Sequence, residues 1–249
     1  MNAVVTGAGS PRGIGRTIAK QLVEQGWNVA ILDVNFHSVH ETAIDLRSLR
    51  SDTVVKDYTC DVTSESDVIR TRQEVLEEIG TIHALVNNAG VTMPTPFLEI
   101  DVPEWNHIFD VNVLGTFLMT QAFLPSMIDE GWGRIVNISS VSAKRGGGIF
   151  GGVHYSASKG AVLGFTRAIA REFAKFGVLC NAVCPGLIDT DITGPNLSQE
   201  RREQLEREIP VGRMGRADEV ANVVAFLCSE QASYVTGEVM DINGGSHID

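Results

Sequence analysis

Short apolar runs alternate along this chain with longer stretches that repeat apolar residues at helical spacing. Asn2–Thr6 is a compact apolar segment, and Ile18, Ala19, Leu22 and Val23 then recur within 17–25 as one helix face does. Gly26 stops that helix, and Val29–Leu32 is continuously apolar, as expected of a strand buried on both faces. The alternation continues. Helices are predicted over His40–Leu49, Ser64–Ile79 (Ser64 as N-cap), Glu104–Ile128, Ser156–Phe176 and Asp218–Ser229. Strands are predicted over Thr53–Val55, Ala84–Val86, Arg134–Ile138, Val178–Val183 and Glu238–Ile242. Seven strands alternating with helices predict an α/β architecture, a doubly wound parallel sheet with helices on both faces. Residues 191–213 are polar, contain Pro195 and Pro210, and fit no sheet element; they read as a substrate lid.

Charge narrows the partners. The 20 basic and 31 acidic residues leave a net −11, a poor match for nucleic acid or an anionic membrane. No run of 18 apolar residues and no secretory signal is visible, and Cys60, Cys180, Cys184 and Cys228 form neither a CxxC pair nor a zinc-spaced cluster. A cytoplasmic protein without a metal is expected.

Glycine, 25 of 249 residues, is enriched and clustered. Gly7-Ala8-Gly9-Ser10-Pro11-Arg12-Gly13-Ile14-Gly15 follows the first strand and opens the first helix. In that context the backbone N–H groups of Gly13, Ile14 and Gly15 and the helix dipole suit a pyrophosphate, although any tight strand–helix turn also uses glycine. Asp33 ends the second strand, where a carboxylate can accept both adenosine ribose hydroxyls and repels a 2′-phosphate. NAD is therefore expected over NADP. Arg12 and Arg16 point the other way.

Tyr155-Ser156-Ala157-Ser158-Lys159 places a phenol and an amine at i, i+4 on one helix face. A neighbouring ammonium lowers the phenol's pKa toward useful acid–base chemistry. Alone the pair could equally be a surface contact. With the glycine turn, Asn87-Asn88-Ala89-Gly90, Asn112, Ile138-Ser139-Ser140, Pro185-Gly186 and Gly244-Gly245, however, the chain resembles the short-chain dehydrogenase/reductase family from residue 5 to residue 245. The resemblance implies a single Rossmann domain over 1–249 and a nicotinamide-dependent oxidoreductase acting on CH–OH groups. It also implies a homo-oligomer, commonly a tetramer, although the apolar Phe165, Val223, Phe226 and Leu227 fit a core as well as such packing.

The resemblance also assigns roles. Tyr155 becomes the acid/base, Lys159 its modulator and a ribose ligand, Ser140 the carbonyl polariser, and Asn112 the holder of a proton-relay water. Asp61 and Val62 would meet adenine, and Asn88 and Gly90 the ribose region. Pro185, Gly186, Ile188 and Thr190 would border the nicotinamide, with Gly7 and Arg12 in the phosphate loop. Two departures stand out. The glycine turn is two residues longer than the family's usual one, so it should bulge at Ser10-Pro11. Ser142 rather than Ser140 lies thirteen residues before Tyr155, but Ser140 holds the strand-end position; the two extra residues are assigned to the glycine loop 146–152.

That loop, with Met93, Phe150, His154, Leu187 and Ser142, is expected on the substrate side. His154 is a substrate hydrogen-bonder or a packing histidine; Lys144 and Arg145 are a solvated pair or contacts for an anion; Glu200, Arg201, Arg202 and Glu203 read as a solvated face. Asp129-Glu130 stands where carrier-protein reductases of the family carry part of a basic patch. The expected substrate is a small polar secondary alcohol (polyol, sugar derivative or hydroxy acid). A 3-oxoacyl-thioester reductase and, remotely, a non-catalytic NAD sensor are the alternatives.

Overall fold

The structure is a computed structural model that describes residues 1–193 and 197–248. Its seven strands are β1 (Asn2–Thr6), β2 (Asn28–Asp33), β3 (Val55–Thr59), β4 (Ala84–Asn87), β5 (Gly133–Ile138), β6 (Val178–Pro185) and β7 (Val239–Ile242). They form one sheet in the order β3-β2-β1-β4-β5-β6-β7, every pairing parallel. The helices are α1 (Ile14–Glu24), α2 (Phe36–Arg47), α3 (Glu65–Glu78), α4 (Val102–Phe109), α5 (Gly115–Glu130), α6 (Ser142–Arg145), α7 (Val153–Phe173), α8 (Gln199–Arg207) and α9 (Ala217–Cys228).

The period of two in each strand builds two cores. Val5, Ile31, Val86 and Val136 face α1, α2 and α9, where Ile18, Leu22, Val39, Val220 and Val224 cover them. Val4, Leu32, Leu85 and Ile135 face the other way, onto Val68 and Val75 of α3 and Leu118, Phe123 and Met127 of α5. Leu227 belongs to the first core, whereas Phe226 is exposed. The strand order reverses between β1 and β4, and their carboxyl ends open a crevice there, the usual ligand position in such sheets.

Several boundaries differ from the sequence reading. α2 starts at Phe36, four residues early, because Asn35 caps it by accepting from Ser38 N at 3.1 Å. β3 runs over Val55–Thr59 instead of Thr53–Val55. It is an edge strand whose polar Lys56 and Asp57 hide the strand signal, and Asp57 is met by Arg47 and His40 from α2. The long helix begins at Val102 and is interrupted by a π turn at Asp110–Leu114. Val102–Glu130 is long and apolar enough to cross a membrane by length and composition, but half of its most apolar window is buried and α5 packs on β4 and β5. The segment 191–213 contributes no strand among the described residues and holds α8, with Leu205 buried beneath and Ile209 buried just beyond, while Pro195 lies outside the described residues. Arg202 is not merely solvated. It reaches Asp189 Oδ2 at 3.0 Å and Glu206 Oε1 at 3.2 Å.

Candidate active site

A cleft of about 400 Å³ opens at the carboxyl ends of β1, β4, β5 and β6, within the size range of ligand pockets. Its walls include Gly7, Gly13 and Ile14 from the glycine turn, Asp33 from β2, and Asn88 and Gly90 after β4. Ser140, Ser142, Tyr155, Lys159, Pro185, Gly186, Leu187, Ile188 and Thr190 complete the far side, with Phe150 from the glycine loop.

The glycine turn is shaped by close approach. Gly7 adopts a φ of +64°, and a Cβ on Gly15 would lie 2.4 Å from both Gly7 O and Asn88 Nδ2. Asn88 fastens the turn to β4 by donating to Thr6 O and Gly7 O, both at 2.9 Å. The two additional residues do bulge: Gly13 N donates to Ser10 O at 2.9 Å, closing a tight turn over Ser10–Gly13. The bulge then grips the segment after β6. Asp191 Oδ2 accepts from Ser10 Oγ at 2.6 Å and from Arg12 N at 2.9 Å, and the Ser10 hydroxyl holds the Asp191 carboxyl below its usual range. Arg12 pairs with Asp189, which also binds Arg202. Sequence reasoning missed this clasp, because Ser10 and Asp191 are 181 residues apart and no local pattern joins them.

Asp33 is held in place as well as exposed to the cleft. Its Oδ2 accepts from Gly9 N at 2.8 Å and its Oδ1 from Asn35 N at 3.0 Å. Arg16 pairs with Asp45, so both arginines near the turn already face carboxylates. Asp61 and Val62 are not part of the cleft wall: Asp61 Oδ1 accepts from Thr63 N and Oγ1, and Val62 packs against Gly115.

The residues around Tyr155 converge. Lys159 Nζ donates to Ile138 O and Ser139 Oγ to Lys159 O, both at 2.8 Å, fastening α7 to the end of β5. Asn112, turned inward by the π turn, donates to Val91 O and Ser158 Oγ, both at 3.0 Å, and accepts from Val91 N. Ser158 Oγ donates to Tyr155 O at 2.8 Å. A Cβ on Gly90 would fall 3.1 Å from Lys159 Nζ and 3.2 Å from Asn112 Oδ1, so the three meet at one point. The Ser140 hydroxyl bears on the Tyr155 phenol and opposes the rise of its pKa, and Ser140 Oγ accepts from Ser142 N at 3.1 Å. Both serines line the cleft, and Ser140 is the one whose hydroxyl acts on the phenol.

The electrostatics depart from the expected effect of Lys159. Burial pushes the Tyr155 phenol up, and the Ser140 hydrogen bond only partly opposes it. Burial pushes the Lys159 ammonium down to about 8. Its nitrogen lies 5.9 Å from the Tyr155 ring centre, and the influences on the phenol come from burial, Ser140 and Cys184. Of its two readings His154 takes the packing one, and Met93 does not line the substrate side. One residue before Tyr155, His154 is rotated about 100° around the helix; it is wholly buried, with Nε2 2.9 Å from Glu104 Oε1, and lines no part of the cleft. Met93 contributes only its carbonyl, which accepts from Gly152 N at 2.9 Å, and its side chain is partly exposed outside the cleft wall.

These features have counterparts. A family profile described as Enoyl-(Acyl carrier protein) reductase matches residues 7–247. An uncharacterized short-chain type dehydrogenase/reductase, y4mP of Sinorhizobium fredii, is 45% identical over 99% of this chain and 97% of its own length. The chain belongs to the short-chain dehydrogenase/reductase family. Another member, the 3-oxoacyl-[acyl-carrier-protein] reductase FabG of Aquifex aeolicus, is 43% identical over 95% of this chain and 94% of its own. The crystal structure of levodione reductase superposes with a TM-score of 0.92 at 32% identity, covering 98% of this chain and 96% of that one. As a short-chain dehydrogenase/reductase, the protein is an oxidoreductase acting on CH–OH groups with a nicotinamide cofactor. The close-packed glycine turn at the start of α1 and the anchored Asp33 fit such a dinucleotide.

Proposed function

We propose that this protein is an NAD-preferring oxidoreductase that interconverts 3-oxoacyl and 3-hydroxyacyl thioesters. The observation that carries the reading is the apolar wall beyond the Ser140–Tyr155 pair, made of Val141, Ile149, Phe150, Leu187 and Ile192. Two threonines there are already engaged: Thr92 donates to Phe150 O, and Thr193 Oγ1 donates to Ile188 O at 2.6 Å. Such a wall suits an acyl chain and offers few partners to the hydroxyls of a polyol. Relatives at 43% and 37% identity are named 3-oxoacyl-[acyl-carrier-protein] reductases, which supports the same substrate class. The acidic surface, with Asp129-Glu130 before β5, disfavours an acidic carrier protein, so coenzyme A is taken as the thioester's carrier in the test.

In this reading Gly7, Gly13, Ile14, Asp33, Asn88, Gly90, Pro185, Gly186, Ile188 and Thr190 hold the dinucleotide. Bound there, the nicotinamide gives or takes the hydride. Ser140 donates a hydrogen bond to the substrate oxygen, and Tyr155 transfers the proton to it in reduction and takes it back in oxidation. Lys159 and Asn112 hold the tyrosine's helix turn in position and adjoin its proton path. Asp33 supports NAD, because its fixed carboxylate repels a 2′-phosphate while Arg12 and Arg16 face Asp189 and Asp45. Exposed Leu114, Phe117 and Val153 support packing between copies, with a tetramer expected in sedimentation.

The test is cofactor-linked absorbance with NADH and NADPH against acetoacetyl-coenzyme A, and with NAD and NADP against a polyol panel. Faster turnover of a polyol than of the thioester would overturn the substrate reading.

A further inference from the structure

We propose that Arg145 is a specificity-determining residue that binds an oxyanion carried by the substrate beyond its reacting carbonyl. The inference rests on the substrate reading above and adds a charge to it. α6 is the single turn that leaves the Ser140 strand end, and it is fixed on both sides. Ser142 is buried with its N–H on Ser140 Oγ, and Lys144 pairs with Asp241 of β7 at 2.8 Å, its side chain only 11% exposed. Arg145 ends this anchored turn and forms part of the cleft wall. Gly146, Gly147 and Gly148 follow, all with positive φ, so the chain doubles back with no side chain between Arg145 and Ile149.

Charge gives the argument its direction. Acidic residues outnumber basic ones by 31 to 20. Arg12, Arg16, Arg47, Arg50, Arg70, Arg202, Arg213 and Arg216 each pair with a carboxylate. Among the described residues Arg145 has no carboxylate partner. Within the described cleft wall the one carboxylate is Asp33, at the glycine-turn end and engaged by two backbone N–H groups. The other cation in the wall, Lys159, is buried and donates to Ile138 O. The substrate end of an acidic protein therefore presents an unpaired guanidinium, whose planar fork matches a carboxylate or a phosphate. A cation left unpaired in such surroundings attracts an anion and discriminates against a neutral ligand.

A carboxylate on a short oxo acid and the phosphates of coenzyme A are the two sources of that oxyanion. Calorimetric titration of the nucleotide-loaded enzyme separates them, with 3-oxobutanoate, coenzyme A and the uncharged ethyl 3-oxobutanoate as probes. R145Q is expected to weaken at least one anion by about tenfold more than it weakens the ester, with R145K intermediate because it keeps the charge and loses the fork. The anion that responds identifies the source. Equal losses for anions and ester, an unchanged affinity for both anions, or no binding of either anion by the wild type would overturn the inference. Turnover is read separately: Arg145-dependent binding without reduction of any 3-oxo compound leaves this inference standing and removes the thioester reading.

Discussion

Lys159→Met tests the balance of forces at the centre of the site. The folded protein holds the ammonium at a pKa of about 8, against 10.5 for a free lysine, and burial is the main cause. Below pH 8 the amine is protonated in both folded and unfolded chains, and the folded state carries the whole desolvation penalty. Between 8 and 10.5 the unfolded chain binds the extra proton, so stability rises with pH in that window. The depression corresponds to about 3 kcal/mol at ~1.4 kcal/mol per pKa unit. Methionine removes that penalty but leaves Ile138 O without its 2.8 Å donor, which costs about 1–3 kcal/mol. At pH 7 the variant should therefore match the wild type or exceed it by up to ~2 kcal/mol, while losing turnover. Toward pH 10.5 the comparison should reverse as the wild type regains its ~3 kcal/mol. The buried thiols, such as Cys60 and Cys184, are raised by burial and lose stability at high pH, but they are present in both proteins and cancel. Urea denaturation of both proteins in half-unit steps from pH 7 to 10.5 measures the difference. A difference that stays constant across the range refutes the reasoning.

Three further outcomes are expected. Ser140→Ala should lower kcat/KM by ~10²–10³, as loss of a donor to a developing oxyanion does, and Ser142→Ala by far less; steady-state kinetics of the two variants compares them. Gly15→Ala forces a Cβ to within 2.4 Å of Gly7 O and Asn88 Nδ2; it should cost ~1–3 kcal/mol, or about 2–12 °C in Tm, and weaken dinucleotide binding, read by calorimetry and cofactor fluorescence. Asp33→Asn should raise the NADP/NAD ratio of kcat/KM by about tenfold, corresponding to ~1.4 kcal/mol of lost discrimination, in paired assays with both cofactors.

The buried strands and the glycine turn were legible in the sequence because their signals are local. Val29–Leu32 is apolar throughout, and glycines placed between a strand and a helix have few other uses. β3 was misplaced because an edge strand with Lys56 and Asp57 on it lacks that signature. The π turn at Asp110–Leu114 leaves the apolar periodicity of its helix almost unchanged, so its inward turn of Asn112 needed coordinates. Tyr155 and Lys159 were legible through their spacing, yet their electrostatics were not. The spacing shows that an amine is near a phenol; it does not show that both are buried deeply enough to disfavour both charges. His154 illustrates the same limit, since its neighbour in sequence lines the cleft while its own ring points to Glu104. The Ser10–Asp191 clasp, joining two loops far apart in sequence, had no local signature at all.

Behind the cleft, buried polar side chains run across the sheet. Asn87 Nδ2 donates to Thr120 Oγ1 at 3.1 Å and to Asn137 Oδ1 at 2.8 Å, and Asn137 Nδ2 donates to Thr166 Oγ1 at 2.9 Å. The chain ties α5, β4, β5 and α7 together. A one-residue slip between β4 and β5 would turn these amides to the wrong face and strand them without partners, so they key the strands to a single alignment. The keys sit in the sheet, and their hydrogen bonds run to α5 and α7 rather than to the loop 146–152 of the substrate wall. Evolution can therefore redraw what the protein acts on without renegotiating how it folds.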